Sequence, residues 1–189
     1  MTAAIAFEPP MDEWTTDDLD ELPPDGRRRE LIDGVLIVSP SPSNVHQIIA
    51  GRLMTALEAT CPPEFDVTLG VEIRVSRRRS LTPDVMVVNY DAAVQRPSRF
   101  SPYDVALAVE VMSPSSMTMD RVTKPALYAQ AGIPFYWRIE THSGILAYAY
   151  RLDPVAEVYR HIGDFDEFIE VDGPWAIKIP IAPLAPRYF

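Results

Sequence analysis

A chain of 189 residues, 47% apolar and 23% charged, can build one domain with a full hydrophobic core, and no apolar run approaches the roughly 18 residues of a membrane span. Its single cysteine, Cys61, excludes an internal disulfide and a cysteine-based zinc cage, so any metal must be held by oxygen or histidine ligands. The formal net charge of −10 argues against a nonspecific nucleic-acid coat, because affinity for a phosphate backbone comes from clustered Lys and Arg.

Residues 1–26 lack the basic start and apolar stretch of a secretory signal and are acidic and proline-rich, which predicts a cytoplasmic protein with an N-terminal arm. Residues 27–189 are expected to form a single domain, since no repeat, linker or low-complexity segment divides them. Within the arm, Thr15 to Glu21 is a short helical candidate with Thr16 as its cap. The run RRRELIDGVLIVSPSPS reads as two β segments about Asp33-Gly34, a pair that favours a tight hairpin. Ser43 or Asn44 caps the next element, where Val45, Ile48, Ile49, Leu53 and Leu57 recur at helical spacing up to about Ala59.

Phe65 to Ser76 alternates in places, as a strand with one buried face does, and Arg77 to Ser80 reads as a polar turn. Pro83 to Asn89 and Val105 to Met112 are short, almost wholly apolar runs, expected of central strands covered on both faces. The segment 113–132 reads as a helix with serine caps at its start, Leu127 and Tyr128 on its apolar face, Pro125 in its first turn or at a kink, and Gly132 as its stop. Pro134 to Glu140, Gly144 to Arg151, Ala156 to Ile162 and Phe168 to Ile179 follow as strand candidates in a meander.

Two carboxylates stand out in the apolar strands. Asp84 and Glu110 would each be costly there unless a metal, a cation or several donors compensate them, and two together suggest a shared partner. If the strands are adjacent, the carboxylates converge at one sheet edge as an oxygen-rich site of the kind Mg²⁺ prefers. Arg27, Arg28 and Arg29 form one basic cluster and Arg74, Arg77, Arg78 and Arg79 another; each is either a solvated turn or a neighbour of an acidic site, where Arg27–Arg29 and Arg77–Arg79 would meet nucleic acid. Ser113, Ser115 and Ser116 lack the turn of a serine nucleophile, and Tyr136-Trp137 reads as core.

TPDV at 82–85, VEVMSPSS at 109–116 and DRVTKPALYAQAGIPFYW at 120–137, with ELIDGVLIVSPSPSNVHQ upstream at 30–47, resemble the PD-(D/E)XK nuclease superfamily, in its bacterial restriction-endonuclease branch of Uma type. The likeness spans about Glu30 to Trp137. It implies an α/β fold with a restriction-endonuclease-like core, a central mixed sheet flanked by helices, here with extra β segments at the C-terminal end. It also implies an Asp on one strand and an acidic-X-Lys triplet on the next, which map onto Asp84 and Glu110-Val111-Met112. Met112 departs from the pattern. In similar variants the lysine has moved to the following helix, and the matching residue is Lys124, one of only two lysines in the chain, with Lys178, against fifteen arginines.

The resemblance thus implies a Mg²⁺- or Mn²⁺-dependent endonuclease that hydrolyses DNA, with Asp84, Glu110 and the Val111 carbonyl as metal ligands and Lys124 orienting water or neutralising charge. Glu30 is implied as an outer ligand or second-metal residue. His46 and Gln47 match a recurring HQ pair, placed either to meet phosphate at a helix end or to cap and pack. Asp120, four residues before Lys124, either positions it or forms an ordinary surface pair. A second reading is a catalytically inactive nuclease-fold module that binds a protein or nucleic-acid partner, favoured by Met112 and the acidic charge. The β segments after residue 140 leave a sheet edge on which a homodimer is expected.

Overall fold

The computed structural model describes residues 12–112, 119–142 and 144–189, with the backbone alone at 119 and 120. A first helix, α1 (Thr16–Glu21), is followed by the hairpin β1 (Arg28–Ile32) and β2 (Val35–Ser39), the long helix α2 (Asn44–Glu58), and strands β3 (Phe65–Leu69), β4 (Glu72–Ser76), β5 (Arg79–Leu81) and β6 (Val85–Asn89). Then come the short helix α3 (Tyr90–Ala93), β7 (Arg99–Phe100), β8 (Val105–Val111), a π-type turn over Met119–Thr123 that runs into α4 (Lys124–Gln130), and strands β9 (Phe135–Glu140), β10 (Leu146–Asp153), β11 (Val158–Phe165), β12 (Phe168–Val171) and β13 (Ile177–Pro180).

Six strands form the central sheet in the order β11-β10-β9-β8-β6-β3, parallel between β8 and β9 and antiparallel elsewhere. A smaller sheet runs β2-β1-β5-β4-β7, and β12 and β13 pair by themselves. The apolar runs at 85–89 and 105–111 do become central strands, because both faces of the large sheet are covered. On one face Val85, Val87, Leu107, Val109 and Trp137 pack against Ile49, Leu53 and Leu57 of α2 and against Ile169 and Ile179 of the β12–β13 pair. On the other, Met86, Val88, Ala108 and Tyr136 pack against Leu127 and Tyr128 of α4 and against Ile73 and Leu81 of the small sheet. Large apolar side chains buried in this way contribute about 1.5–3 kcal/mol each. Tyr136 and Trp137 are fully buried, as a core reading requires.

The Asp33-Gly34 hairpin forms as expected: Ile32 pairs with Val35, and both turn residues take positive φ, 48° and 85°, which Gly accepts freely and Asp tolerates. Elsewhere local chemistry departs from the pattern. The cap of α1 is Thr15, whose hydroxyl accepts the Asp18 N–H while the Asp18 carboxylate reaches back to the Thr15 N–H, so Thr16 is the first helical residue and not the cap. Residues 65–76 are two strands in two sheets, because Gly70 at φ 59° turns the chain out of the large sheet into the small one. The expected turn at 77–80 is shorter, since Arg79 and Ser80 already pair in β5. Pro125 sits in the first turn of α4 and Gly132, at φ 81°, lies just beyond its end, both as expected. The serines 113, 115 and 116 fall outside the described residues.

The segment before β1 is fastened to the small sheet. Trp14 is buried, its N–H bonds the Gly34 carbonyl, and the Thr16 N–H bonds the Arg77 carbonyl. Asp20 takes hydrogen bonds from Arg74 and Arg99 at 2.8–2.9 Å. Those bonds, that from Arg74 foremost, hold its carboxyl down to about 2, below its ordinary value. A carboxyl with a folded pKa below its unfolded one adds stability above the unfolded pKa and loses it as pH falls through the folded value. Asp20→Asn is therefore expected to lower stability by about 0.2–1 kcal/mol at pH 7, and urea unfolding should show the difference vanishing near pH 2.

Candidate active site

Asp84 lies where the chain crosses from the small sheet to the large one. β5 ends at Leu81, Thr82 and Pro83 make the passage, and Asp84 precedes β6, its N–H bonded to the Val109 carbonyl at 3.0 Å. Its carboxylate accepts three groups: the Val111 N–H at 2.7 Å and His46 Nε2 at 3.0 Å on Oδ2, and Arg28 at 2.5 Å on Oδ1. Burial alone would raise this carboxyl. The His46 and Arg28 contacts and the Val111 N–H outweigh it and hold the group well below the usual carboxylate range.

Glu110 stands on β8, on the face that carries Ala108, and so points toward α4 and the small sheet. Its Oε1 accepts Lys124 Nζ at 2.9 Å and the Tyr128 hydroxyl at 2.6 Å, while Oε2 faces Arg28 at 3.6 Å. Burial pushes the Glu110 carboxyl up to about 8; the charges of Asp84 and Glu30 add to the shift, and Lys124 and Arg28 oppose it. Glu30, on β1, accepts the Thr82 N–H at 2.8 Å, and Lys124 Nζ lies 3.0 Å from the same Oε1. Lys124 thus bridges two buried glutamates from different sheets, with 6% of its own side chain exposed.

Asp84, Glu110, Lys124 and Glu30, named from the sequence, meet in one cluster, and His46 joins it from the first turn of α2, whose cap is the Ser43 hydroxyl. An open cavity of about 700 Å³ reaches the cluster and is lined by Arg27, Arg28, Arg29, His46, Gln47 and Asp84, among others. Gln47 is exposed along it. The second arginine cluster lies away from this cavity. Arg77 pairs with Asp17, Arg78 with Glu13, and Arg79 with Asp33 and Gln130, so these side chains fasten the amino-proximal segment, the β1–β2 turn and α4. The side chain of Asp120 falls outside the described residues. Val111 meets Asp84 through its N–H.

Two members of the cluster were not singled out for it. Tyr128 read as part of an apolar face, yet it stands four residues after Lys124, one turn along the same helix face. Arg28 read only as one of three arginines in a run that was either a solvated turn or a neighbour of an acidic site, yet it stands two residues before Glu30 and shares its strand face. Spacing from a known site residue was the signal in both cases.

The family model described as Uma2, putative restriction endonuclease, matches residues 16–171. The chain belongs to that family. No curated protein matches it. Among solved structures, the crystal structure of a putative nuclease of the DUF820 group from Anabaena variabilis is 18% identical, with a TM-score of 0.71 over 90% of this chain and 96% of that one, a likeness of fold. The central mixed sheet with α2 and α4 on its faces, together with the β12–β13 pair at the C-terminal end, is thus a fold shared with that putative nuclease.

The implied divalent metal suits this donor set. Asp84 and Glu110 offer hard oxygen ligands, and the guanidinium of Arg28 already stands between them as a cation. Among the described residues no three His, Cys, Asp or Glu side chains form a cage, but Mg²⁺ is commonly bound by one or two carboxylates with waters and substrate phosphate completing its shell. The raised Glu110 carboxyl has a consequence for stability. The folded protein binds that proton more tightly than the unfolded chain, whose carboxyl titrates near 4.5, so this contribution is full below pH 4.5 and is lost as pH rises toward about 8. Glu110→Gln is expected to flatten the decline in unfolding free energy between pH 5 and 8, measured by urea titration without added metal.

Proposed function

We propose that this Uma2-family protein is a Mg²⁺- or Mn²⁺-dependent endonuclease of the cytoplasm that hydrolyses DNA phosphodiester bonds. The observation that carries the reading is the meeting of Asp84, Glu110 and Lys124 beside a cavity lined by arginines. Family membership supports it. Asp84 and Glu110 would hold the metal, with the Val111 carbonyl beside them. When bound, the metal supplies a polarised phosphoryl oxygen and a water of lowered pKa.

The chain's own residues do the rest. Tyr128 and Lys124 occupy one oxygen of Glu110 and so aim the other at Asp84's side of the cluster. Lys124, bridging Glu30 and Glu110 at 3.0 and 2.9 Å, orients the attacking water and offsets charge that develops on the phosphate. His46, in the first turn of a 15-residue helix, and Arg27 on the cavity wall give phosphate a positive approach inside an otherwise acidic protein.

The alternative, a nuclease-fold module without catalysis, draws on one observation: Arg28 fills the gap between the two carboxylates. Cleavage assays decide between the two readings. The native protein is expected to cut at least one of plasmid, linear or single-stranded DNA in Mn²⁺ or Mg²⁺, and Asp84→Ala and Lys124→Ala, checked for folding by circular dichroism, should each lose at least a hundredfold in rate. No cleavage of any substrate, together with no Mn²⁺ binding by calorimetry, would leave the binding module. For assembly we propose a homodimer paired along β11, the outer strand of the large sheet, with Val158 and Ile162 exposed on it. Light scattering at micromolar concentration should return twice the chain mass; a monomer mass overturns the pairing.

No described helix is long and apolar enough to cross a membrane.

A further inference from the structure

Arg28 is a poorly satisfied cation in a site rich in acceptors. Its NH1 meets Asp84 Oδ1 at 2.5 Å, but NH2 stands 3.6 Å from Glu110 and 3.8 Å from Glu30, beyond hydrogen-bond reach. Nε and NH2 are buried without a hydrogen-bond partner among the described residues. A guanidinium carries five donors in a fixed fork and is usually retained in buried pairs by two-pronged contact with a carboxylate. Here one prong is made. Lys124 shows the contrast, with close contacts to both glutamates.

The place of Arg28 in the cluster also differs. It lines the cavity together with Asp84, whereas Glu110 and Lys124 are not on the cavity wall. A cation approaching the Asp84–Glu110 pair from the cavity therefore meets the Arg28 guanidinium first. Three carboxylates face two protein cations, and Lys124 is tied to Glu30 and Glu110 behind Arg28. A divalent ion brings two charges to a point and bonds carboxylate oxygen at about 2.0–2.1 Å, which a delocalised guanidinium cannot match. The two cations repel one another and cannot share the gap.

We infer that Arg28 is an internal competitor of the divalent metal, displaced from the Asp84–Glu110 gap into the cavity when the ion binds and there presented to a substrate phosphate. The inference rests on the metal-dependent reading above. It ties the two ligands together. Metal entry frees a bidentate phosphate-binding group, and phosphate that captures the freed guanidinium keeps it from returning, so each ligand raises the affinity of the other.

Calorimetric titration of Mn²⁺ into DNA-free protein tests this, with the native chain beside Arg28→Met and Arg28→Lys. Arg28→Met is expected to bind Mn²⁺ at least tenfold more tightly than the native protein, and Arg28→Lys to fall between them. Equal or weaker binding by Arg28→Met, with the native protein still binding, overturns the competitor role and leaves the metal reading intact. No binding by any of the three overturns both. Should the Met variant fail to fold, the native protein answers alone: on Mg²⁺ addition the ¹⁵N-labelled Arg28 Nε–H resonance should shift and exchange faster with water, and an unmoved resonance overturns the inference.

Discussion

Taking a carboxylate out of water costs several kcal/mol, and Glu30, Asp84 and Glu110 each incur that cost within one cluster. The surrounding structure answers it with specific groups. Asp84 receives a backbone N–H, an imidazole and a guanidinium; Glu30 receives the Thr82 N–H and Lys124; Glu110 receives Lys124 and a tyrosine hydroxyl. The crossing at 82–84, the first turn of α2 and the position of α4 are all held in register by this one demand. Two cations do not fully match three carboxylates, and Glu110, raised first by its burial, is pushed further up by the charges of Asp84 and Glu30.

The acidity of the whole chain and the basic wall of the cavity are compatible for a related reason. Several carboxylates outside the cavity are already engaged, as Asp17, Asp20 and Asp33 are with Arg77, Arg74 and Arg79. Arg27, Arg28 and Arg29 line the cavity itself. Net charge therefore describes solubility and long-range field here, while the local field near Asp84 is set by side chains within a few ångströms.

Asp84 and Glu110 were legible in the sequence because a lone carboxylate in an apolar run is a conflict that only a partner resolves. Lys124 was legible through resemblance and its rarity among the cations. The strands about Asp33-Gly34 and the extent of α2 followed from turn chemistry and helical spacing. What escaped depended on three dimensions. Alternation carries straight through Gly70, so one strand was read where the backbone turns between two sheets. Arg79 and Ser80 of β5 look like part of a polar turn until Ser76 and Leu31 pair with them. Arg28 belongs to a run of three arginines, and only the meeting of the two sheets distinguishes the one that reaches Asp84 and Glu110.

The ionic cluster is drawn from both sheets: Arg28 and Glu30 come from β1 of the smaller, Glu110 from β8 of the larger, and Asp84 from the passage between them. Chemistry and architecture are joined at this seam. A chain that lost Arg28 or Lys124 would leave three carboxylates facing a single one of these two cations between two layers, weakening the joint. Drift toward a purely scaffolding role would therefore have to exchange the charges as a block for apolar residues of similar volume, and partial losses would be selected against as faults in the building before they were felt as faults in the reaction.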